Sequence, residues 1–180
     1  MLLVNLSGAP GAGKSTGAAY IFSKLKMAGV NCELVTEVAK DKVWEKNNKA
    51  LENQAYIFGK QYFRLSRIED EVDVAITDSA LILGLLYNQD KRLGKAFNEV
   101  VVNVAKSFDS LNYFVNRVKK YNPKGRLQSE SESDEISLKV KEVLKKHFPN
   151  FEEIDGDIEG YDKVVNRILE YLEIKKGAEK

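Results

Sequence analysis

LLVNLSGAPGAGKST, residues 2–16, decides the fold, because it places an apolar run, a glycine loop and a helix start in one unbroken order. Residues 2–6 read as a strand ending near Ser7, and residues 8–15 satisfy the pattern GxxxxGK[ST]. Beyond it, a helix from residue 14 to about residue 27 sets Ala18, Ile21, Phe22 and Leu25 on one face before Gly29 ends it. In that context Gly8, Ala9, Pro10, Gly11, Ala12 and Gly13 form a loop whose backbone N–H groups can wrap a phosphate, with the positive end of the helix at the same place. Lys14 then reaches the β- and γ-phosphates, Ser15 sets its hydroxyl on Mg²⁺, and Thr16 contacts the α-phosphate through side chain or backbone. The loop is therefore expected to bind a nucleoside triphosphate with Mg²⁺.

Working outward, residues 32–36 read as a second strand, Trp44 falls on a short helix, and residues 50–70 form one long helix carrying Leu51, Ala55, Phe58, Tyr62 and Leu65. Residues 72–77 are apolar and mostly β-branched, a buried strand that runs into Asp78. Helices over 81–87 and 93–108, a fourth strand over 111–115, a helix bearing Ile136, Val140, Val143 and Leu144, a strand over 151–154 and a helix over 161–174 complete the chain. Ser131 and Asp134 have capping-box spacing ahead of the Ile136 helix. Strands alternating with helices give an α/β fold with a parallel sheet covered on both faces.

The chain has 180 residues, the size of one domain, and 28 basic against 27 acidic residues leave a formal charge of +1. That balance carries no signature of duplex nucleic-acid binding. The only cysteine, Cys32, lies in a predicted strand and reads as a buried thiol, which suits a reducing cytoplasm. No apolar stretch reaches the roughly 20 residues of a membrane helix, and the first run has neither a basic flank nor a cleavage site, so a soluble cytoplasmic protein with no membrane partner is expected.

Five further features carry chemistry. Asp78, at the strand end where open α/β sheets bind ligands, either holds Mg²⁺ or caps the next helix. Glu37 ends the second strand and either takes the proton of an attacking hydroxyl or is a solvated loop residue; Asp41 competes for the same role. In RVKKYNPKGRLQ, residues 117–128, the basic side chains Arg117, Lys119, Lys120, Lys124 and Arg126 read as a phosphate-covering lid, a solvated charge run or a nucleic-acid patch. Gln54 and Gln61, seven apart, share a helical face with Arg64 and either read a base or sugar or simply face solvent. His147, before Phe148-Pro149, reads as a helix C-cap.

GAPGAGKST, VAITDS and RVKKYNPKGR, in that order, resemble the P-loop kinases of nucleosides and nucleotides, and in particular the small ribosylnicotinamide-kinase-like AAA-type domains of bacteria and large DNA phages. The resemblance covers most of the chain. It implies a three-layer fold with a five-stranded parallel sheet of order 2-3-1-4-5, a lid over about residues 117–131, ATP and Mg²⁺ as cofactors, and transfer to a small-molecule acceptor in the cytoplasm, the host's if phage-encoded. By the same resemblance Arg117 and Arg126 are lid arginines, Asp78 is the strand-three acid and Glu37 the base. The sequence departs from many deoxynucleoside kinases in following its acid with Ser79 rather than arginine.

The expected function is an ATP-dependent kinase of a nucleoside, nucleotide or nicotinamide-riboside-like acceptor, working as a monomer or homodimer. The alternatives are a P-loop NTPase without an acceptor and a kinase of nucleic-acid bases or ends. A GTPase is disfavoured because Asn48-Lys49 continues into Ala50-Leu51 rather than a guanine-reading NKxD motif. The absence of a DE pair after the third strand disfavours a typical AAA+ motor.

Overall fold

The opening strand, β1 (Leu2–Ser7), is buried along its whole length, as befits the middle of a parallel sheet with helices on both faces. A computed structural model describes residues 1–122 and 128–178. In it β1 is flanked by β3 (Val74–Thr77) and β4 (Ser110–Asn116), with β2 (Cys32–Val35) and β5 (Glu152–Asp155) at the edges. Every pairing is parallel and the order is β2-β3-β1-β4-β5. Leu2 lies opposite Val74, and Leu3 opposite Ser110. This is the order that the resemblance implies.

The two-residue period of the strands sorts their side chains into two cores. Leu2, Val4 and Leu6 of β1, with Val74, Ile76, Tyr113 and Val115, meet Ile21 and Leu25 of α1 (Lys14–Met27) and Val164 and Ile168 of α8 (Ile158–Ala178). Leu3, Ala75 and Phe114 point the other way. They pack with Phe58 and Leu65 of α4 (Gln54–Ser66), Val101 and Ala105 of α6 (Gly94–Ser107), and Val140 and Leu144 of α7 (Glu130–His147). Fully buried Leu and Ile side chains each contribute about 1.5–3 kcal/mol. Cys32 is buried, as its strand position predicts, and burial pushes its thiol up.

Several boundaries differ from the sequence reading. The expected helix over 50–70 is two, α3 (Asn48–Glu52) and α4, because Asn53 leaves helical geometry and its side chain accepts the Tyr56 N–H at 3.0 Å. An Asn that bonds its own downstream backbone competes with helix continuation. Trp44 ends α2 (Val38–Trp44), the short helix foreseen for it. The segment 81–87 opens as a 3₁₀ turn, Leu81–Leu83, and only then becomes α5 (Gly84–Tyr87). The capping box ahead of Ile136 belongs to Ser129 and Glu132, not to Ser131 and Asp134. Glu132 is long enough to return a bond to the Ser129 N–H, at 2.7 Å. No described helix is long and apolar enough to cross a membrane.

Candidate functional site

The glycine loop leaves β1 and delivers the chain to α1 through Gly13, whose φ of 101° serves as the N-cap without any side-chain cap bond. The first N–H groups of α1 are thus left to a ligand rather than taken by a capping side chain. At the other end of the loop a Cβ on Gly8 would stand 2.9 Å from the Val115 carbonyl oxygen, so the chain can pass β4 this closely only as glycine. Lys14 Nζ donates to Gly8 O at 2.9 Å and Ala9 O at 3.0 Å, folding its ammonium over the loop. Ser15 and Thr16 are exposed on the first turn of α1.

Three braces on this loop were not foreseen in the sequence. Ser133 Oγ, buried at the start of α7, donates to Pro10 O at 2.8 Å. From α8, Tyr161 donates its hydroxyl to Gly13 O at 3.0 Å and lays its ring where any Gly17 side chain would be. Gly156, after β5, lies so close to Ala12 that a Cβ there would sit 2.2 Å from the Ala12 carbonyl oxygen. Each brace joins residues more than 100 positions apart, which is why local pattern reading misses them.

Asp78 follows β3 and is 4% exposed, with Oδ1 buried and lacking a hydrogen-bond partner. It does not cap the turn after it: the N-cap is Ala80, without a side-chain bond, and the Ser79 N–H goes to Thr77 Oγ1 at 3.1 Å. An unpartnered buried carboxylate oxygen is costly unless a cation meets it. Asp78 and Ser15 share the wall of one cavity of about 250 Å³, also lined by Thr36, Glu37, Lys40, Asp41 and Trp44. Two hard oxygen donors suit Mg²⁺, which takes one or two protein groups and completes its shell with phosphate and water. The described residues form no cluster of three or more His, Cys, Asp and Glu able to hold a metal.

Glu37 and Asp41 part ways here. Glu37 precedes α2 without a side-chain cap bond and is half-buried on the cavity wall. Burial raises its carboxyl above the ordinary range, the Lys14 ammonium pulls it back down, and the Asp78 carboxylate pushes it up again. Asp41 is instead paired with Arg64, 2.5 Å from Nη2.

Gln54 and Gln61 of α4 do not face solvent, and Arg64 is only partly exposed. Gln61 is 3% exposed, its Oε1 accepting the Val38 N–H at 3.0 Å and its Nε2 donating to Thr36 O at 3.3 Å. Arg64 Nη1 donates to the same carbonyl at 2.9 Å. Gln54 is also buried and donates to Leu51 O at 3.1 Å. The three side chains expected to read a base or sugar are thus engaged with the protein's own backbone and with Asp41.

Arg117 stands at the foot of the basic segment with its guanidinium on Asp134 at 2.6 Å and Glu130 at 3.3 Å, over the ring of Tyr121. The acidic stretch that follows the basic one in sequence therefore engages it directly. Lys119 and Lys120 are exposed. Lys124 and Arg126 lie outside the described residues. His147 is the last residue of α7, and burial lowers its pKa.

No curated protein matches the chain. Residues 3–160 match a family described as an AAA domain, a span that takes in the glycine loop, Glu37, Asp78, Arg117 and the turn at Gly156. With that match and the sheet order above, the chain belongs to this AAA domain family, with the fold of P-loop nucleotide-binding proteins.

Proposed function

We propose that the protein is an ATP- and Mg²⁺-dependent phosphotransferase acting on a small acceptor of the nucleoside, nucleotide or nicotinamide-riboside class. The observation that carries this reading is the cavity of about 250 Å³ that continues from Ser15 and Asp78 along Thr36, Glu37 and Trp44, with a carboxyl of raised pKa on its wall. A hydrolase needs room for water alone. A kinase needs an acceptor pocket beside the γ-phosphate and a base within it.

In this reading the loop N–H groups and Lys14 hold the triphosphate, and Ser15 and Asp78 hold Mg²⁺. Held by Ser15 and Asp78, Mg²⁺ would supply positive charge against that of the phosphates. The acceptor hydroxyl bonds to the γ-phosphorus as the bond from that phosphorus to the β,γ-bridging oxygen breaks, and ADP leaves. The hydroxyl proton passes to Glu37, whose raised pKa makes it a stronger proton acceptor than an exposed glutamate. In this reading the segment of about residues 117–131 serves as a lid whose basic side chains offset the phosphate charge, Arg117 being shared with Asp134 and Glu130.

The test is ADP release from ATP and Mg²⁺ with a panel of common nucleosides, their 5′-monophosphates, nicotinamide riboside and short oligonucleotides, with Lys14→Ala as control. Stimulation by one small acceptor, lost in the control, is the expected result. Steady hydrolysis indifferent to every acceptor would replace the reading with an NTPase, and stimulation by oligonucleotides alone with a nucleic-acid kinase.

A further inference from the structure

We infer that Gln61 and Arg64 are positioning residues for Glu37, locking the turn between β2 and α2 so that its carboxylate faces the cavity. The inference rests on the reading of Glu37 as the base.

The geometry is that of a clamp on both peptide groups beside one residue. Glu37 has no side-chain cap bond to hold it. The carbonyl before it, Thr36 O, accepts from Gln61 Nε2 and from Arg64 Nη1, and the N–H after it, that of Val38, donates to Gln61 Oε1. The side-chain amide offers an acceptor and a donor on one rigid plane, and both are used. Gln61 is 3% exposed, so water cannot easily replace either bond. The clamp stands on a fixed platform, because Phe58 and Leu65 of the same helix are buried in the second core. A reacting group held this way, by side chains themselves locked in packing, stays within the narrow tolerance that proton transfer needs.

Arg64 adds electrostatic sorting. Its second terminal nitrogen takes Asp41, a carboxylate on the first turn of α2 that shares the cavity wall with Glu37 and Asp78. Lys14, Lys40, Asp41, Asp78 and Tyr87 are the charged and titratable groups that act on Glu37, and of these Asp41 is ion-paired with Arg64.

The experiment measures kcat, Mg-ATP affinity and amide hydrogen exchange for Gln61→Met, which keeps side-chain length and removes both bonds. With the same acceptor panel, kcat is expected to fall about 100-fold, the cost of a displacement of about 1 Å, while Mg-ATP affinity stays within about twofold. In a Glu37→Gln background the same substitution should cost almost nothing further, since it acts through that carboxylate. Exchange at the Val38 amide should accelerate in the ligand-free protein. Unchanged Val38 exchange, an undiminished kcat, or fully additive losses would each overturn the inference alone. Full turnover by Glu37→Gln would overturn the base reading and the inference with it. If Gln61→Met does not fold, Arg64→Met carries the test: a drop in kcat that Arg64→Lys restores supports the clamp, and no drop overturns it.

Discussion

Glu37 and Asp78 put two carboxyl groups on the same cavity wall in different settings, and each makes a prediction of its own. Because burial raises the Glu37 pKa, the folded protein binds that proton more readily than the unfolded chain, so ionising Glu37 costs stability at neutral pH. The cost is relieved as pH falls through the raised pKa. Glu37→Gln should therefore raise Tm at neutral pH, and the gain should shrink as the buffer is taken below that pKa, while turnover is lost at every pH. Asp78→Asn should leave Tm little changed, since the buried Oδ1 has no hydrogen-bond partner to lose, yet weaken the Mg²⁺-dependence of nucleotide binding, as read by titration calorimetry with and without Mg²⁺. Lys14→Ala should cut ADP release by about 100-fold or more. Lys14 and Ser15 were legible in the sequence because their motif is local. The use of Gln61 was not, since both of its bonds reach back across 23 to 25 positions of chain.

At the scale of elements, the caps decide where helices begin. Ser129 and Glu132 form a reciprocal capping box on α7, and the next turn carries Ser133, which braces Pro10 of the glycine loop. Ser129→Ala should cost about 1 kcal/mol, a fall in Tm of about 2–4 °C for a domain of this size, measurable by thermal denaturation. The pattern S-x-x-E at 129–132 was readable beforehand, but a run with serine at 129, 131 and 133 offers several candidate starts. Only the folded chain, with Ser133 turned inward and buried, selects one of them. The break at Asn53 has the same origin: apolar spacing continues through it, while a local side-chain bond ends one helix and starts another.

For the whole molecule, the sheet divides the apolar side chains into two cores that share only its backbone. Ile168 belongs to one and Leu144 to the other, and both are wholly buried. Alanine at either should cost about 2–5 kcal/mol, and the two losses should add, because side chains on opposite faces share no partners; urea denaturation of the single and double variants checks both points. The glycine loop is likewise a product of the whole, held from α7, α8 and the turn after β5. Gly156→Ala, whose Cβ would sit 2.2 Å from the Ala12 carbonyl oxygen, should lower both Tm and nucleotide affinity.

By itself the sequence determined the glycine loop, the strand-loop-helix unit around it, the alternation of buried strands with helices, and the carboxylates that close the second and third strands. These are written in neighbouring residues: a motif, an apolar run, a helical or two-residue period. The tertiary structure alone decided which polar groups meet. Arg64 takes Asp41, Gln61 clamps the turn at Glu37, Asp78 keeps a buried oxygen without a partner, and Arg117 turns to the acids of α7. The physical reason is that a short-range pattern fixes which face of an element is apolar, whereas a hydrogen-bond partner is fixed by the packing of elements distant in the chain.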